Sequence, residues 1–319
     1  MAAVDLGTNT CRLLVARPGG AQFEVVDSFS RIVRLGEGLE VTGRLSEAAI
    51  ERTIRALHVC ASKVRMHGVR HIKGVATEAC RRAENGQEFL NRAARETGLT
   101  LEPIPPEEEV KLTLAGCAPL IDPSASHALM FDIGGGSTEV TWIGNGENGL
   151  PKPIGMISAP HGVVSLVERF GCEPLSENAY NELTALLEAH FAPFDEAFGV
   201  ADALDGGNVQ VLGTSGTVTT LGALWLGLER YDRSQVDGLE VSFEAVIAIA
   251  RRLASMTCRE RGQIPCIGKD RADLVLVGCA ILEAFHRRWP AERLRIADRG
   301  IREGLLAQMI AGLILSQDN

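Results

Sequence analysis

The sequence is poor in lysine and in aromatic residues. Its 319 residues include five lysines, and aromatic residues make up 5% of the chain. Acidic residues outnumber basic ones, 41 against 32, so the formal net charge is −9. This balance argues against a general nucleic-acid binder, whose surface is normally basic. It remains compatible with an anionic ligand in a local basic cleft, where arginine would supply most of the positive charge.

The sequence also lacks a C-x-x-C pair, a basic leader and an apolar run long enough to cross a bilayer. Its eight cysteines are scattered, several of them in apolar segments, which predicts reduced and buried thiols. His67 and His71 have the spacing of metal ligands on a helix, but Gly68 between them predicts a helix end instead. We therefore expect a cytoplasmic protein without a membrane or nucleic-acid partner.

Strand and helix patterns alternate along the chain, which predicts an α/β architecture with central sheets flanked by helices. The chain opens with a predicted strand, a turn at "GTNT" and a second strand. Ser46, Ser176 and Ser242 are predicted to cap helices, the second of which is expected to end near residue 191. Hydrophobic residues make up 45% of the chain, enough for the cores of two domains.

The pattern of the first strand and turn begins again near Ala128. "VDLGTNTCRL" (4–13) aligns with "FDIGGGSTEV" (131–140), because each has an apolar residue, Asp, an aliphatic residue, Gly, two turn residues and a hydroxyl residue. The repeat predicts two related halves, each opening with an Asp-Gly hairpin. The polar stretch 119–128 is the predicted boundary between a first domain, 1–125, and a second domain, 126–319.

The glycine run in "LMFDIGGGSTEVTWIG" (129–144) is typical of a loop that binds phosphate. It lacks the lysine of a Walker loop, and the residues after it alternate as in a strand, whereas a dinucleotide-binding loop opens a helix. The loop is therefore predicted to join two strands, with its amide groups turned towards an anion. A plain β-turn is the alternative, but the second Asp-Gly loop and the third loop "GTSGT" (213–217) weigh against it.

Three segments, "VDLGTNT", "FDIGGGSTE" and "LGTSGTVTTL", resemble the two phosphate hairpins and the third loop of the actin, sugar-kinase and heat-shock-ATPase superfamily. Within it, the sequence resembles the short form of the exopolyphosphatase / guanosine pentaphosphate phosphohydrolase (Ppx/GppA) family. The motifs occur in family order over almost the whole chain: "RIVRLGEGL" (31–39), "VATEACRRAENG" (75–86), "PPEEEVKL" (105–112), "KDRADLVLVGCAILEA" (269–284) and "ADRGIREGLL" (297–306).

The resemblance implies two ribonuclease-H-like (actin-like ATPase) domains with mixed central sheets, flanking helices and an interdomain cleft. It implies a magnesium-dependent hydrolase, with Mn²⁺ as the alternative ion, that releases terminal phosphate from inorganic polyphosphate, from guanosine pentaphosphate, or from both. Two other functions stay open: a superfamily kinase that transfers phosphate from ATP to a sugar or acyl group, and a sensor that binds guanosine tetra- and pentaphosphate without turnover. We expect a homodimer.

Glu109 is the candidate general base, by resemblance and because the dipole at a predicted helix start favours an ionised carboxylate. Three consecutive glutamates leave the register open, with Glu108 as the second candidate and a purely helix-stabilising role as the alternative. Asp5, Asp132 and Glu139 are the candidate magnesium ligands, the two aspartates being expected to face each other across the cleft. The candidate phosphate-binding residues are Thr8, Asn9, Thr10, Arg34, Arg81, Gly134, Gly135, Gly136, Ser137, Thr138, Thr214, Ser215, Gly216 and Thr217.

Three positions depart from the usual family pattern. Thr77-Glu78-Ala79 replaces Thr-Ser-Ala, Val110-Lys111 replaces Ala-Arg after the glutamates, and Ser215-Gly216 replaces paired glycines. None of these departures removes a candidate carboxylate. They leave the choice between polyphosphate and a nucleotide substrate open.

Overall fold

The structure, a computed structural model, describes residues 1–19, 22–146 and 149–317. The described chain divides into two compact units, and each contains one mixed sheet flanked by helices, as the sequence predicts. The first unit comprises Met1–Cys117 and the described residues from Arg299 onward, and the second unit comprises Ala118–Asp298. Among the described residues, no helix combines the length and the apolar character needed to cross a membrane.

The first unit is built on a sheet of five strands in the order β3-β2-β1-β4-β5. β1 pairs antiparallel with β2 and parallel with β4, so the sheet is mixed. Its strands are β1 (Ala2–Leu6), β2 (Thr10–Gly19), β3 (Gln22–Ile32), β4 (Ile72–Ala76) and β5 (Glu102–Pro103). Its helices are α1 (Leu39–Thr42), α2 (Glu47–Met66), α3 (Glu78–Arg82), α4 (Gly86–Thr97), α5 (Pro106–Cys117) and α14 (Ile301–Gln317).

The second unit is built on a sheet of six strands in the order β10-β11-β9-β6-β7-β8. Its strands are β6 (His127–Ile133), β7 (Thr138–Asn145), β8 (Pro151–Ala159), β9 (Val209–Thr214), β10 (Glu240–Ser242) and β11 (Arg293–Ala297). A 3₁₀ turn (Ala118–Leu120) precedes them, and the helices are α6 (Val163–Phe170), α7 (Glu177–Phe198), α8 (Val200–Asp205), α9 (Gly216–Trp225), α10 (Arg233–Val236), α11 (Phe243–Ala254), α12 (Cys258–Gln263) and α13 (Ala272–Arg288).

The two sheets share one connectivity. Counted from the outer hairpin strand, the order β3-β2-β1-β4-β5 of the first unit matches β8-β7-β6-β9-β11 of the second. In both, a three-stranded antiparallel meander is followed by a strand parallel to its first member. This repeated order agrees with the two related halves predicted from the repeated Asp-Gly segment.

The units divide the chain differently from the predicted domains 1–125 and 126–319. The last helix, α14, packs on α5 and on strands of the first sheet, so the chain returns to the first unit after β11. The approach of α14 to α5 is close, because a Cβ on Gly304 would lie 2.0 Å from the carbonyl oxygen of Leu112. Periodicity predicts that a helix forms but not the element on which it packs, so the sequence placed α14 in the second domain.

Helix starts follow the predicted caps, whereas one helix end does not. The side chains of Ser46, Ser176 and Ser242 each accept a hydrogen bond from the backbone N–H three residues later. The predicted end of α7 near residue 191 is wrong, because the helix continues through Pro193 to Phe198. Apolar packing explains the extension, since side chains on its last turns belong to the buried core of the second unit.

Candidate functional site

The first hairpin turn joins β1 to β2 and follows Asp5, the fourth residue of β1. The N–H of Gly7 donates to the carbonyl oxygen of Thr10 at 3.0 Å, and Asp5 lies directly opposite Arg12 in the strand register. The Oδ1 atom of Asp5 is buried and has no hydrogen-bond partner among the described residues. Burial raises the pKa of Asp5, although Arg12 and Arg302 act in the opposite direction.

The loop after β3 holds one side of this turn by hydrogen bonds to its carbonyl oxygens. The N–H groups of Val33 and Arg34 donate to the carbonyl oxygen of Asn9 at 2.8 and 3.0 Å, and that of Gly36 donates to the carbonyl of Thr8 at 2.9 Å. In a trans peptide the N–H points away from the C=O. The N–H groups of Asn9 and Thr10 therefore face the opposite side of the turn, where a ligand anion would lie.

Arg52 on α2 fixes that loop, and sequence reasoning missed it. Its guanidinium donates to the carbonyl oxygens of Val33 and Arg34 at 2.9 and 3.2 Å and pairs with Glu37. Arg34 has a φ of 48°, in the left-handed region that non-glycine residues rarely adopt. In the sequence Arg52 is one of several arginines on an amphipathic helix, so no local signal singles it out.

Glu109 and Arg81, two candidates from different motifs, form an ion pair in the first unit. Nη1 of Arg81, on α3, donates to Oε2 of Glu109 at 3.0 Å and to the carbonyl oxygen of Ile104 at 2.7 Å. Glu109 lies in the first turn of α5, and its side chain is 13% exposed. Glu108 is 36% exposed and lies 3.9 Å from the ammonium group of Lys111. Of the two glutamates, Glu109 is therefore the more buried one and the one held by an arginine.

Glu78, one of the departures from the family pattern, lies at the start of the same helix α3. Its side chain is buried, Oε1 accepts a hydrogen bond from Arg82, and Oε2 has no hydrogen-bond partner among the described residues. Burial raises the pKa of Glu78, while Arg82 acts in the opposite direction. Arg82 also pairs with Glu40, so two carboxylates hold its guanidinium.

The second hairpin turn joins β6 to β7 and repeats the first in backbone geometry. The N–H of Gly134 donates to the carbonyl oxygen of Ser137 at 2.9 Å. Asp132 lies directly opposite Glu139 in the strand register, so two carboxylates share one face of this hairpin. Oε1 of Glu139 accepts hydrogen bonds from the hydroxyls of Ser137 and Ser158 at 2.6 and 2.7 Å. Those hydroxyls fix the orientation of the buried Glu139 side chain.

Helix α6 holds the glycine run from one side. The N–H groups of Val163 and Val164 donate to the carbonyl oxygens of Gly134 and Gly135 at 3.0 and 2.7 Å. A Cβ on Gly162 would lie 2.3 Å from the carbonyl carbon of Gly135, so only glycine permits this approach. Because the loop carbonyls face α6, the N–H groups of Gly135 and Gly136 face away from it, as an anion-binding loop requires.

The remaining candidates of the second unit divide into two groups. Thr214 lies beside Asp132 in the parallel register of β6 and β9. The hydroxyl of Thr138 instead donates to the carbonyl oxygen of His161 at 2.7 Å, and Thr217 packs against Gly278 of α13. These last two side chains are committed to contacts within the protein, which favours a structural role for them.

Ser215 occupies a backbone conformation that explains the glycine usual at this position in the family. Its φ is 139°, in the region that favours glycine. The side chain accepts a hydrogen bond from the N–H of Val218 at 3.2 Å and caps α9, so the hydroxyl offsets part of the backbone strain. Gly216 is the first residue of α9, and the loop therefore leads into a helix N-terminus.

The candidate metal ligands suit a hard cation. Asp5, Asp132 and Glu139 offer carboxylate oxygens, which are the ligands that Mg²⁺ prefers in proteins. The buried Oδ1 of Asp5 is an acceptor that lacks a protein partner among the described residues, as expected of an atom that faces a cation or its water shell. Each unit, taken by itself, therefore offers carboxylate oxygens of the kind that magnesium binds.

Comparison with known proteins gives one consistent answer. The model of the Ppx/GppA phosphatase family matches residues 14–312. Exopolyphosphatase 2 of Mycobacterium tuberculosis is 29% identical over 98% of this chain and 98% of that protein. A guanosine-5'-triphosphate,3'-diphosphate pyrophosphatase of Aeromonas salmonicida is 30% identical over 96% of this chain, which spans 58% of that longer relative. The crystal structure of the Aquifex aeolicus Ppx/GppA family member superposes with a TM-score of 0.78 at 29% identity, covering 100% of this chain and 98% of that one.

Proposed function

Because this chain belongs to the Ppx/GppA phosphatase family, we propose that it is a magnesium-dependent hydrolase that releases the terminal phosphate of inorganic polyphosphate. The relative that this chain matches over nearly its full length is named an exopolyphosphatase. Guanosine pentaphosphate is the second proposed substrate, because another relative is named for a guanosine-5'-triphosphate,3'-diphosphate. The observation that carries the proposal is the half-buried Glu109 held by Arg81 at a helix start.

Glu109 is the proposed general base. The dipole at the start of α5 and the guanidinium of Arg81 both favour the ionised form of this carboxylate. An ionised glutamate fixed in one orientation is suited to position a water molecule and to accept its proton. The bond from Arg81 to the carbonyl of Ile104 holds the guanidinium as well, so the pair is oriented on both sides.

The two hairpin turns are the proposed phosphate-binding elements. Asn9 and Thr10 in the first unit and Gly135 and Gly136 in the second present backbone N–H groups on the side away from their supporting segments. Asp132 and Glu139 of the second unit and Asp5 of the first unit are each proposed as ligands of Mg²⁺, which would neutralise charge on the phosphate oxygens.

The proposed reaction is attack of water on the terminal phosphorus. The water oxygen forms a bond to that phosphorus while the bond from the phosphorus to the bridging oxygen breaks. Glu109 accepts the proton of the water, the bridging oxygen becomes the new chain end, and orthophosphate is released. The product chain is one phosphate shorter.

Phosphate release from defined substrates tests the proposal. The purified protein is incubated with polyphosphate of defined length, with guanosine pentaphosphate, and with ATP plus sugars or acyl acceptors, in Mg²⁺ and in EDTA. We expect orthophosphate from polyphosphate in Mg²⁺, no release in EDTA, and recovery when Mg²⁺ is restored. Phosphorylation of an acceptor by ATP, or tight binding of guanosine tetraphosphate without turnover of any substrate, would overturn it. Manganese as an alternative ion, a cytoplasmic location and a homodimer remain predictions.

A further inference from the structure

Two cysteines that are far apart in the sequence come together with a glutamate in the second unit. Cys172 and Glu173 lie in the loop between α6 and α7, and Cys258 is the first residue of α12. The two sulfur atoms and a carboxylate oxygen all lie within 4.8 Å of one another. Among the described residues, this is the one group of three or more His, Cys, Asp and Glu side chains with such spacing.

Hydrogen bonds hold together the backbone segments that carry the three side chains. The fully buried Arg261 donates hydrogen bonds to the carbonyl oxygens of Cys172, Met256 and Ala272, so it ties the loop to α12 and to the start of α13. The N–H of Cys258 donates to Oε2 of Glu173 at 3.3 Å. The arrangement is therefore built by the fold, not by the free rotation of surface side chains.

We propose that Cys172, Glu173 and Cys258 form a binding site for a thiophilic divalent cation, with Zn²⁺ as the first candidate. Zinc takes sulfur and carboxylate ligands in tetrahedral geometry, and two sulfurs bound to one zinc ion lie about 3.8 Å apart. The observed spacing fits this requirement with small adjustments. Thiolates do not suit Mg²⁺, which prefers oxygen ligands, so this site differs in chemistry from the acidic hairpins.

Solvent has access to the site, which leaves a fourth ligand position for water. Glu173 is exposed and both cysteines are half-buried. A bound cation would join the loop between α6 and α7 to the start of α12, across 85 residues of sequence from Glu173 to Cys258. Its predicted effect is on the stability of the second unit, because metal binding to preformed protein ligands stabilises the folded state.

Cobalt absorption provides the direct test. The purified protein is stripped with a chelator under anaerobic conditions and titrated with Co²⁺ alone. We expect saturation at one equivalent, a near-ultraviolet band from thiolate ligands and intense visible bands from tetrahedral geometry. One equivalent of Zn²⁺ should remove these bands, whereas millimolar Mg²⁺ should not. In a parallel thermal-unfolding measurement, Zn²⁺ should raise the Tm of the wild-type protein.

Matched variants decide whether these three residues are the ligands. Cys172→Ser and Cys258→Ser should each abolish the thiolate band, and Glu173→Gln, which keeps an oxygen able to accept the bond from the N–H of Cys258, should weaken Co²⁺ binding at least tenfold. Cys266→Ser and Glu177→Gln should leave the titration unchanged. The proposal is overturned if the wild-type protein shows no saturable tetrahedral spectrum, or if the bands survive in the Cys172→Ser/Cys258→Ser double variant. An unchanged affinity in Glu173→Gln would exclude the glutamate as a ligand and with it the three-ligand site.

Discussion

The turn after β1 and the turn after β6 have the same backbone and opposite electrostatics. Each turn is closed by one N–H···O=C bond, from Gly7 to Thr10 in the first unit and from Gly134 to Ser137 in the second. The aspartate two residues before the donor glycine of that bond faces an arginine, Arg12, in the first hairpin. In the second hairpin the aspartate faces a glutamate. One fold therefore provides a partly neutralised carboxylate and a pair of like charges at corresponding positions.

The segments that support the two turns also differ, in the kind of contact that each makes with its turn. The first turn is held by the loop after β3, where a Cβ added to Gly36 would meet the side-chain methyl group of Thr8. The second is held by the first turn of α6, where Gly162 lies against the backbone of Gly135. A side chain can rotate away from an added atom and a hydrogen-bonded backbone cannot. We therefore expect the second hairpin to be the more rigid of the two turns, and its paired carboxylates make it the stronger candidate for cation binding.

Replacing Asp132 and Asp5 in turn should produce the largest difference in activity between the two hairpins. Asp132→Asn should lower phosphate release by about 10²–10³-fold, because losing a ligand removes several kcal/mol of charge stabilisation by the metal. Asp5→Asn should lower the Mg²⁺ affinity less than Asp132→Asn does, since the positive charge of Arg12 already offsets part of the charge of the Asp5 carboxylate. Phosphate release measured against Mg²⁺ concentration would show the difference.

The control for this pair is Asp27→Asn, which removes another aspartate of the first sheet. Asp27 pairs with Lys63 and His67 on the outer strand β3, so its loss should leave the Mg²⁺ dependence unchanged. A Mg²⁺ requirement that is the same in Asp132→Asn as in the wild-type protein would remove the second hairpin from the metal site.

Alanine at the two supporting glycines should have unequal effects. Gly162→Ala places a methyl group against the backbone of Gly135, so we expect a loss of stability of about 1–3 kcal/mol and a loss of activity of about 10²-fold. Gly36→Ala meets the end of the Thr8 side chain and should cost less in both measurements. Urea unfolding and phosphate release of the two variants, side by side, would refute the rigid-backbone account if Gly36→Ala were the more damaging change.

Removing Arg52 should loosen only the first hairpin. Arg52→Ala deletes hydrogen bonds to two carbonyl oxygens of the supporting segment, and we expect KM to rise about tenfold with a smaller change in kcat. Arg55→Ala, an exposed arginine on the same helix, is the matched control and should behave as the wild-type protein. If Arg52→Lys restored KM fully, the charge and not the forked geometry of the guanidinium would be responsible.

Glu78→Gln should have the smallest effect, visible in the pH dependence of stability. The pKa of Glu78 is raised in the folded protein by burial, so ionisation of this carboxyl disfavours folding. The penalty is present above the raised folded-state pKa and disappears as the pH falls below the unfolded-state value. The variant should therefore gain up to about 1 kcal/mol at pH 8 relative to the wild-type protein, and nothing near pH 3.

Glu78 is the first residue of α3, whereas the first residue of α9 is Gly216, which has no carboxylate. Unfolding free energies measured from pH 3 to pH 8 would test the predicted effect of the Glu78 carboxylate. Glu84→Gln, which removes an exposed carboxylate paired with Arg44, should show no such trend. A Glu78→Gln variant that is less stable than the wild-type protein at pH 8 would show that the bond from Arg82 outweighs the burial of the carboxylate.

The sequence was informative where chemistry is encoded by neighbouring residues. The Asp-Gly repeat, the hairpin character of the glycine run and the serine caps are local patterns, and the structure contains all of them. Contacts between distant segments carry no such pattern. Neither the support of the first turn by Arg52 nor the packing of α14 on α5 follows from periodicity or turn chemistry.

Cysteine shows the same limit. The scattered cysteines predict reduced and buried thiols, but Cys172 and Cys258 are half-buried and lie together because the fold brings a loop and a short helix into contact. The sequence also leaves open the choice between Glu108 and Glu109, because residues one position apart on a helix point in different directions. Only the direction of each side chain, towards Lys111 or towards Arg81, separates the two.

The single-turnover rate of Glu109→Gln with polyphosphate in saturating Mg²⁺ tests the central claim most directly. Glutamine preserves the shape of the side chain and a contact to Arg81 but cannot accept the proton of water. The account predicts a rate about 10²–10⁴-fold below that of the wild-type protein, with the Tm preserved and Glu108→Gln close to wild type. A Glu109→Gln variant that releases phosphate at the wild-type rate would contradict it.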